Sequence, residues 1–98
     1  MDDPLTNPAI DLKGRRVLAV DDDRINLKII GGILRSEGYE IVEAASGEQA
    51  LEVYPTFQPN LVLLDVMMPG IDGFATCRAL KKTYGDKCAP VVFVSITG

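Results

Sequence analysis

Two short apolar runs, Val17-Leu18-Ala19-Val20 and Leu61-Val62-Leu63-Leu64, each lead straight into aspartate. A strand with one wet face alternates apolar and polar residues. An uninterrupted apolar run therefore predicts a strand covered on both faces. The first run opens onto Asp21-Asp22-Asp23 and the second onto Asp65. If the two strands are parallel neighbours, these carboxylates meet at one end of the sheet. Crowded carboxylates repel, and the pKa of at least one rises unless a cation sits among them. The sequence thus predicts a small acidic pocket suited to a hard divalent metal.

The rest of the chain supplies the layers such strands need. Residues 16–20 predict the first strand, and Asp23 or a neighbour caps a helix after it. Leu27, Ile30, Ile33 and Leu34 share one face of that helix at helical spacing. Gly31-Gly32 weakens it by roughly 1 kcal/mol per glycine against alanine, which points to close packing against a neighbour. Gly38 ends the helix. Residues 39–44 predict a second strand. Ser46 and Gln49 stand at capping-box spacing before a helix through Tyr54, and Pro55 and Pro59 predict a loop. Residues 61–65 form the third strand. Met67-Met68-Pro69-Gly70 turns the chain, and Asp72 caps a third helix. Residues 91–94 form a fourth strand. The alternation predicts an α/β fold with parallel strands and helices on both faces. In such sheets ligands gather at the carboxyl ends of the strands, where Asp21, Asp22, Asp65 and Ser95 are placed.

Length and composition narrow the function. A chain of 98 residues, 47% apolar, fits one small domain with a real core. Residues 1–13, with Pro4 and Pro8, are expected to be a flexible leader, and residues 14–98 the domain. A net charge of −4 leaves no broad basic face for nucleic acid or anionic lipid. No signal peptide or membrane-spanning run is recognisable, so a cytoplasmic location is expected. Cys77 and Cys88 read as ordinary thiols. The chain has no histidine. Any phosphoryl group must therefore go onto a carboxylate or hydroxyl rather than the usual imidazole.

The acidic strand ends suit that chemistry. Mg²⁺ takes hard oxygen ligands, keeps several waters and accepts phosphate oxygens. Asp22 and Asp65 could bind it, with Asp21 holding it through water. A carboxylate beside Mg²⁺ can attack phosphorus to give an acyl phosphate. Ser95, ending the fourth strand, could donate its hydroxyl to a phosphate oxygen.

Residues 17–23, the stretch Leu63-Leu64-Asp65-Val66-Met67-Met68-Pro69-Gly70-Ile71-Asp72-Gly73 and the segment Pro90-Val91-Val92-Phe93-Val94-Ser95 resemble the receiver domains of two-component response regulators. The resemblance covers nearly all of residues 15–95. It implies a flavodoxin-like (CheY-like) three-layer parallel sheet. It implies that Asp65 is the phosphoacceptor, that Asp22 binds Mg²⁺ directly and that Asp21 does so mainly through water. Met67 would offer its backbone carbonyl to the metal, and Ser95 would contact the phosphoryl group. Pro69 and Gly70 would shape the turn that holds Asp65 outward. The donor would be a histidine kinase or a phosphotransfer protein, and the domain would label itself without turning over a substrate.

The family continues past its fourth strand with a helix, a lysine-ended fifth strand and a last helix, whereas this sequence stops at Gly98. Ile96 also stands where the family usually has a small residue. The expectation is a receiver truncated after the fourth strand, with self-association through that exposed edge or continuation in a longer protein. Two other functions stay open. One is a non-phosphorylated interaction module. The other is an aspartate-nucleophile phosphatase, suggested by Asp21-Asp22-Asp23-Arg24-Ile25.

Overall fold

A computed structural model describes residues 15–94. In chain order the elements are β1 (Arg16–Val20), α1 (Arg24–Ser36), β2 (Glu40–Ala44), α2 (Gly47–Phe57), β3 (Leu61–Asp65), α3 (Gly73–Tyr84), a 3₁₀ turn (Gly85–Lys87) and β4 (Val91–Val94). The strands pair in parallel in the order β2-β1-β3-β4. The predicted leader and Ser95 lie outside the described residues.

Strand alternation sorts the apolar residues onto two faces. Leu18, Val20, Val62 and Leu64 point to one side, where Ala50 and Tyr54 of α2 and Leu80 of α3 close over them. Val17 and Ala19 point to the other, against Leu27, Ile30 and Leu34 of α1. This gives the three layers that the apolar strands required. Leu18, Leu64 and Leu80 are fully buried. Each such side chain stabilises the fold by about 1.5–3 kcal/mol relative to exposure.

Helix ends obey local chemistry. Asp23 Oδ1 accepts the Ile25 and Asn26 amides to start α1. Asp72 Oδ1 accepts the Ala75 amide to start α3. Ser46 Oγ accepts the Gln49 amide, and Gln49 Oε1 reaches back to the Ala45 amide. Gly38, at φ +93°, closes α1 as its amide donates to the Arg35 carbonyl and the Tyr39 amide to that of Leu34. This pair of bonds is the Schellman pattern.

Three local expectations need correction. Pro55 lies inside α2, which continues to Phe57 before Gln58 turns left-handed at φ 52°. Pro55 lacks the amide that would donate to the Leu51 carbonyl, yet the helix runs on, and the Gln58 amide donates to the Tyr54 carbonyl at its end. Ile33 points to solvent with Ile25 and Ile29, so the buried face of α1 is Leu27, Ile30, Gly31 and Leu34. Of the glycine pair only Gly31 is close-packed. A Cβ there would come within 2.9 Å of Glu43 Oε2, while one at Gly32 would meet nothing within 4 Å.

β4 ends the described sheet and pairs with β3. Val92 and Phe93 are exposed, and the Phe93 ring lies 4.9 Å from that of Phe74. Among the described residues no helix is long and apolar enough to cross a membrane.

Candidate functional site

The register of the two central strands builds the site. Val20 is level with Leu64, so the next residues along the chain are Asp21 and Asp65. Both emerge at the carboxyl end of the sheet, and Asp22 comes next on the turn into α1. One carboxylate oxygen from each of Asp21, Asp22 and Asp65 lies within 4.8 Å of the others. The structure thus brings together the acids predicted from the two separate segments.

Their surroundings differ. Asp21 is 5% exposed, Asp65 is half-buried and Asp22 is exposed. The Asp21 amide donates to the Ala44 carbonyl, which extends the ladder to β2 and fixes its backbone. Its Oδ1 accepts the Asp23 amide at 2.9 Å, and its Oδ2 accepts Asn26 Nδ2 at 3.3 Å. Asp65 Oδ1 accepts the Met67 amide at 3.2 Å. Burial pushes the Asp65 carboxyl above the ordinary carboxylate value, and the nearby Asp21 and Asp22 carboxylates push it the same way. The Met67 N–H opposes them without cancelling the rise.

Three hard carboxylate oxygens within 4.8 Å of one another suit a small divalent cation such as Mg²⁺, which Asp21, Asp22 and Asp65 would hold directly or through water. The one ion pair between described residues, Arg35 with Glu43, lies elsewhere, so among those residues no side-chain cation neutralises the cluster.

The turn after Asp65 is held by contacts that require glycine. Gly70 sits at φ +75°, and Gly73 packs so tightly that an added Cβ would collide with the Asp65 carbonyl oxygen. The Gly73 amide donates to the Val66 carbonyl at 3.0 Å. Met67, 76% exposed, and Phe74 line a cleft of about 470 Å³ with Val66, Met68, Pro69 and Asp72.

Sequence reasoning does not single out two residues that shape this site. Gly73 is legible only as part of a motif. Asn26 sits in the first turn of α1, five positions beyond Asp21, and a polar residue at that distance from a strand-end acid is the available signal.

Comparison with known proteins agrees with this geometry. The family model described as the response regulator receiver domain matches residues 17–98. The response regulator PleD of Caulobacter vibrioides is 41% identical over 80 residues, covering 82% of this chain and 18% of its own length. The probable transcriptional regulator ycf27 of Cyanophora paradoxa is 37% identical over 89 residues, covering 91% and 36%. The chain thus spans about a third or less of these relatives. Among solved structures, the response regulator protein TrrA of Thermotoga maritima, in complex with Mg²⁺-BeF, superposes with a TM-score of 0.77. It is 33% identical, and the match covers 86% of this chain and 71% of that one.

Proposed function

The chain belongs to the response regulator receiver domain family, and from that premise we infer that it accepts a phosphoryl group onto Asp65 in a Mg²⁺-dependent reaction of two-component signalling. The observation that carries this reading is the convergence of Asp21, Asp22 and Asp65 within 4.8 Å at the end of the two central strands. Asp22 and Asp65 would hold the metal, with Asp21 acting through water and the Met67 carbonyl completing the protein's ligands. When bound, Mg²⁺ supplies positive charge that offsets the acids and the phosphoryl oxygens.

The protein's own part is positioning. The Met67 amide holds one oxygen of the Asp65 carboxylate, and the close approach of Gly73 holds the Asp65 backbone. An Asp65 oxygen attacks phosphorus in line, one P–O bond forms, and the bond from phosphorus to the donor breaks. The donor's leaving atom departs with the electron pair. Asp65 ends as an acyl phosphate, and the domain returns to its starting state only when that bond is hydrolysed or passed on. No separate substrate is turned over.

The donor would be a histidine kinase or a phosphotransfer protein. Support for a protein donor comes from α1. Ile25, Ile29 and Ile33 lie exposed along its length, beginning beside the acidic pocket. Arg24 and Lys28 are exposed next to them. A partner helix laid on this stripe would bring its reactive group to Asp65.

Incubation with Mg²⁺ and acetyl phosphate tests the reading. Intact mass spectrometry should show one added phosphoryl group on the wild type and none on Asp65→Asn. In the wild type, chelation of the metal should abolish the gain. Equal labelling of both proteins would remove Asp65 as the acceptor.

A further inference from the structure

Both oxygens of the buried Asp21 carboxylate are already engaged by neutral donors. The Asp23 backbone amide holds Oδ1 at 2.9 Å, and the Asn26 side-chain amide holds Oδ2 at 3.3 Å. The first donor is main chain and is tied to the turn itself. The second is a side chain from the first turn of α1, so it can be removed without moving the strand. Each oxygen keeps lone pairs for a metal-bound water. Two donors at opposite oxygens also fix the plane of the carboxylate.

We propose that Asn26 is a positioning residue for the cation site, locking the Asp21 carboxylate in the orientation from which it supports a divalent ion shared with Asp22 and Asp65. This rests on the proposed cation site but assigns a role to a residue outside the acidic cluster. Asn26 does not belong to the ligand set. It acts on the ligand set through one hydrogen bond, as partners of metal-binding carboxylates do, and loss of such partners costs about 10- to 100-fold in metal affinity.

The probe is Mn²⁺, followed by its electron paramagnetic resonance signal with the unphosphorylated protein. Asn26→Leu keeps the shape and deletes the donor. It should weaken Mn²⁺ about tenfold, at the lower end of that range because the bond is long. Its metal-free melting temperature should stay near wild type. Asn26→Gln, which retains an amide, should recover most of the affinity. If leucine impairs folding, Asn26→Ser provides the same comparison with a smaller side chain. Asp22→Asn is the control.

If Asp22→Asn loses Mn²⁺ while Asn26→Leu binds within twofold of wild type, the inference falls and the cation reading survives. If Asn26→Gln is as weak as leucine and both melt lower, the role is structural and the inference also falls. If Asp22→Asn binds as wild type does, the cation reading and the inference fall together.

Discussion

At the tip of β1, Asp21 is almost wholly buried and accepts an N–H donor at each oxygen. At the tip of β3, Asp65 is half-buried, with the Met67 amide at one oxygen and two carboxylates nearby. Two residues of the same type, level with each other in register, therefore stand in different surroundings. A carboxylate with a donor on each oxygen is fixed in orientation. Asp65 is more exposed and has one backbone N–H at its carboxylate. The route the chain takes out of each strand makes the difference. After β1 the chain enters α1 at once, so Asp23 and Asn26 fold back onto Asp21. After β3 a loop of several residues intervenes, and α3 meets the strand end at Gly73.

That return offers the sharpest way to break the comparison. A Cβ at Gly73 would collide with the Asp65 carbonyl and come within 2.9 Å of the Val66 Cα. These are backbone atoms and cannot turn aside as a flexible side chain can. Gly73→Ala is expected to cost about 3 kcal/mol in urea unfolding, the upper end for overpacking. Gly32→Ala, on the helix that follows β1, is the counterpart, since nothing lies within 4 Å of its Cβ. It should gain up to about 1 kcal/mol from helix propensity alone. A loss at Gly32 equal to that at Gly73 would remove the contact explanation.

The caps come next in size. Asp23→Ala and Asp72→Ala each delete the side-chain acceptor that starts a helix and should each cost about 1 kcal/mol. Only Asp23 adjoins Asp21, whose Oδ1 its amide holds. Mn²⁺ binding should therefore weaken with Asp23→Ala and hold with Asp72→Ala. Asparagine keeps the capping oxygen, so both Asp→Asn variants should melt within a few tenths of a kcal/mol of wild type.

Much of this is readable from residues alone. The apolar runs at 17–20 and 61–64 require cover on both faces, and the layers result from that. The acids meet because strand order and register leave Asp21 level with Asp65. The caps at Asp23, Ser46 and Asp72 are local signals, with the acceptor a few residues from its donor. Ile33 is misplaced by periodicity because helical spacing gives two adjacent apolar rows on α1, and only tertiary packing chooses between them. Pro55 reads as a stop although Gln58, at a left-handed φ, supplies the real end of α2. Asn26 escapes notice because its hydrogen bond spans the turn between a strand and a helix, where no periodicity reaches.

The smallest expected effect tests the two tips directly through pH. Without metal, burial and then the Asp21 and Asp22 charges hold the Asp65 carboxyl above its usual 3.8. Between 3.8 and the raised value the folded chain keeps a proton that the unfolded chain has shed. Stability therefore falls as pH rises through that window, and the full deficit persists above it. Asp65→Asn has no proton to lose. It should melt higher than wild type at about pH 7.5 in the absence of metal, by less than either cap costs, because Asp65 is partly screened by solvent. The advantage should shrink as the pH is lowered and vanish below 3.8. Saturating Mg²⁺ should reverse the ranking at about pH 7.5, because a bound cation stabilises the folded form that holds it. A metal-free advantage that stays constant across this pH range would mean that the asparagine acts through packing, and the electrostatic contrast between the two tips would be lost.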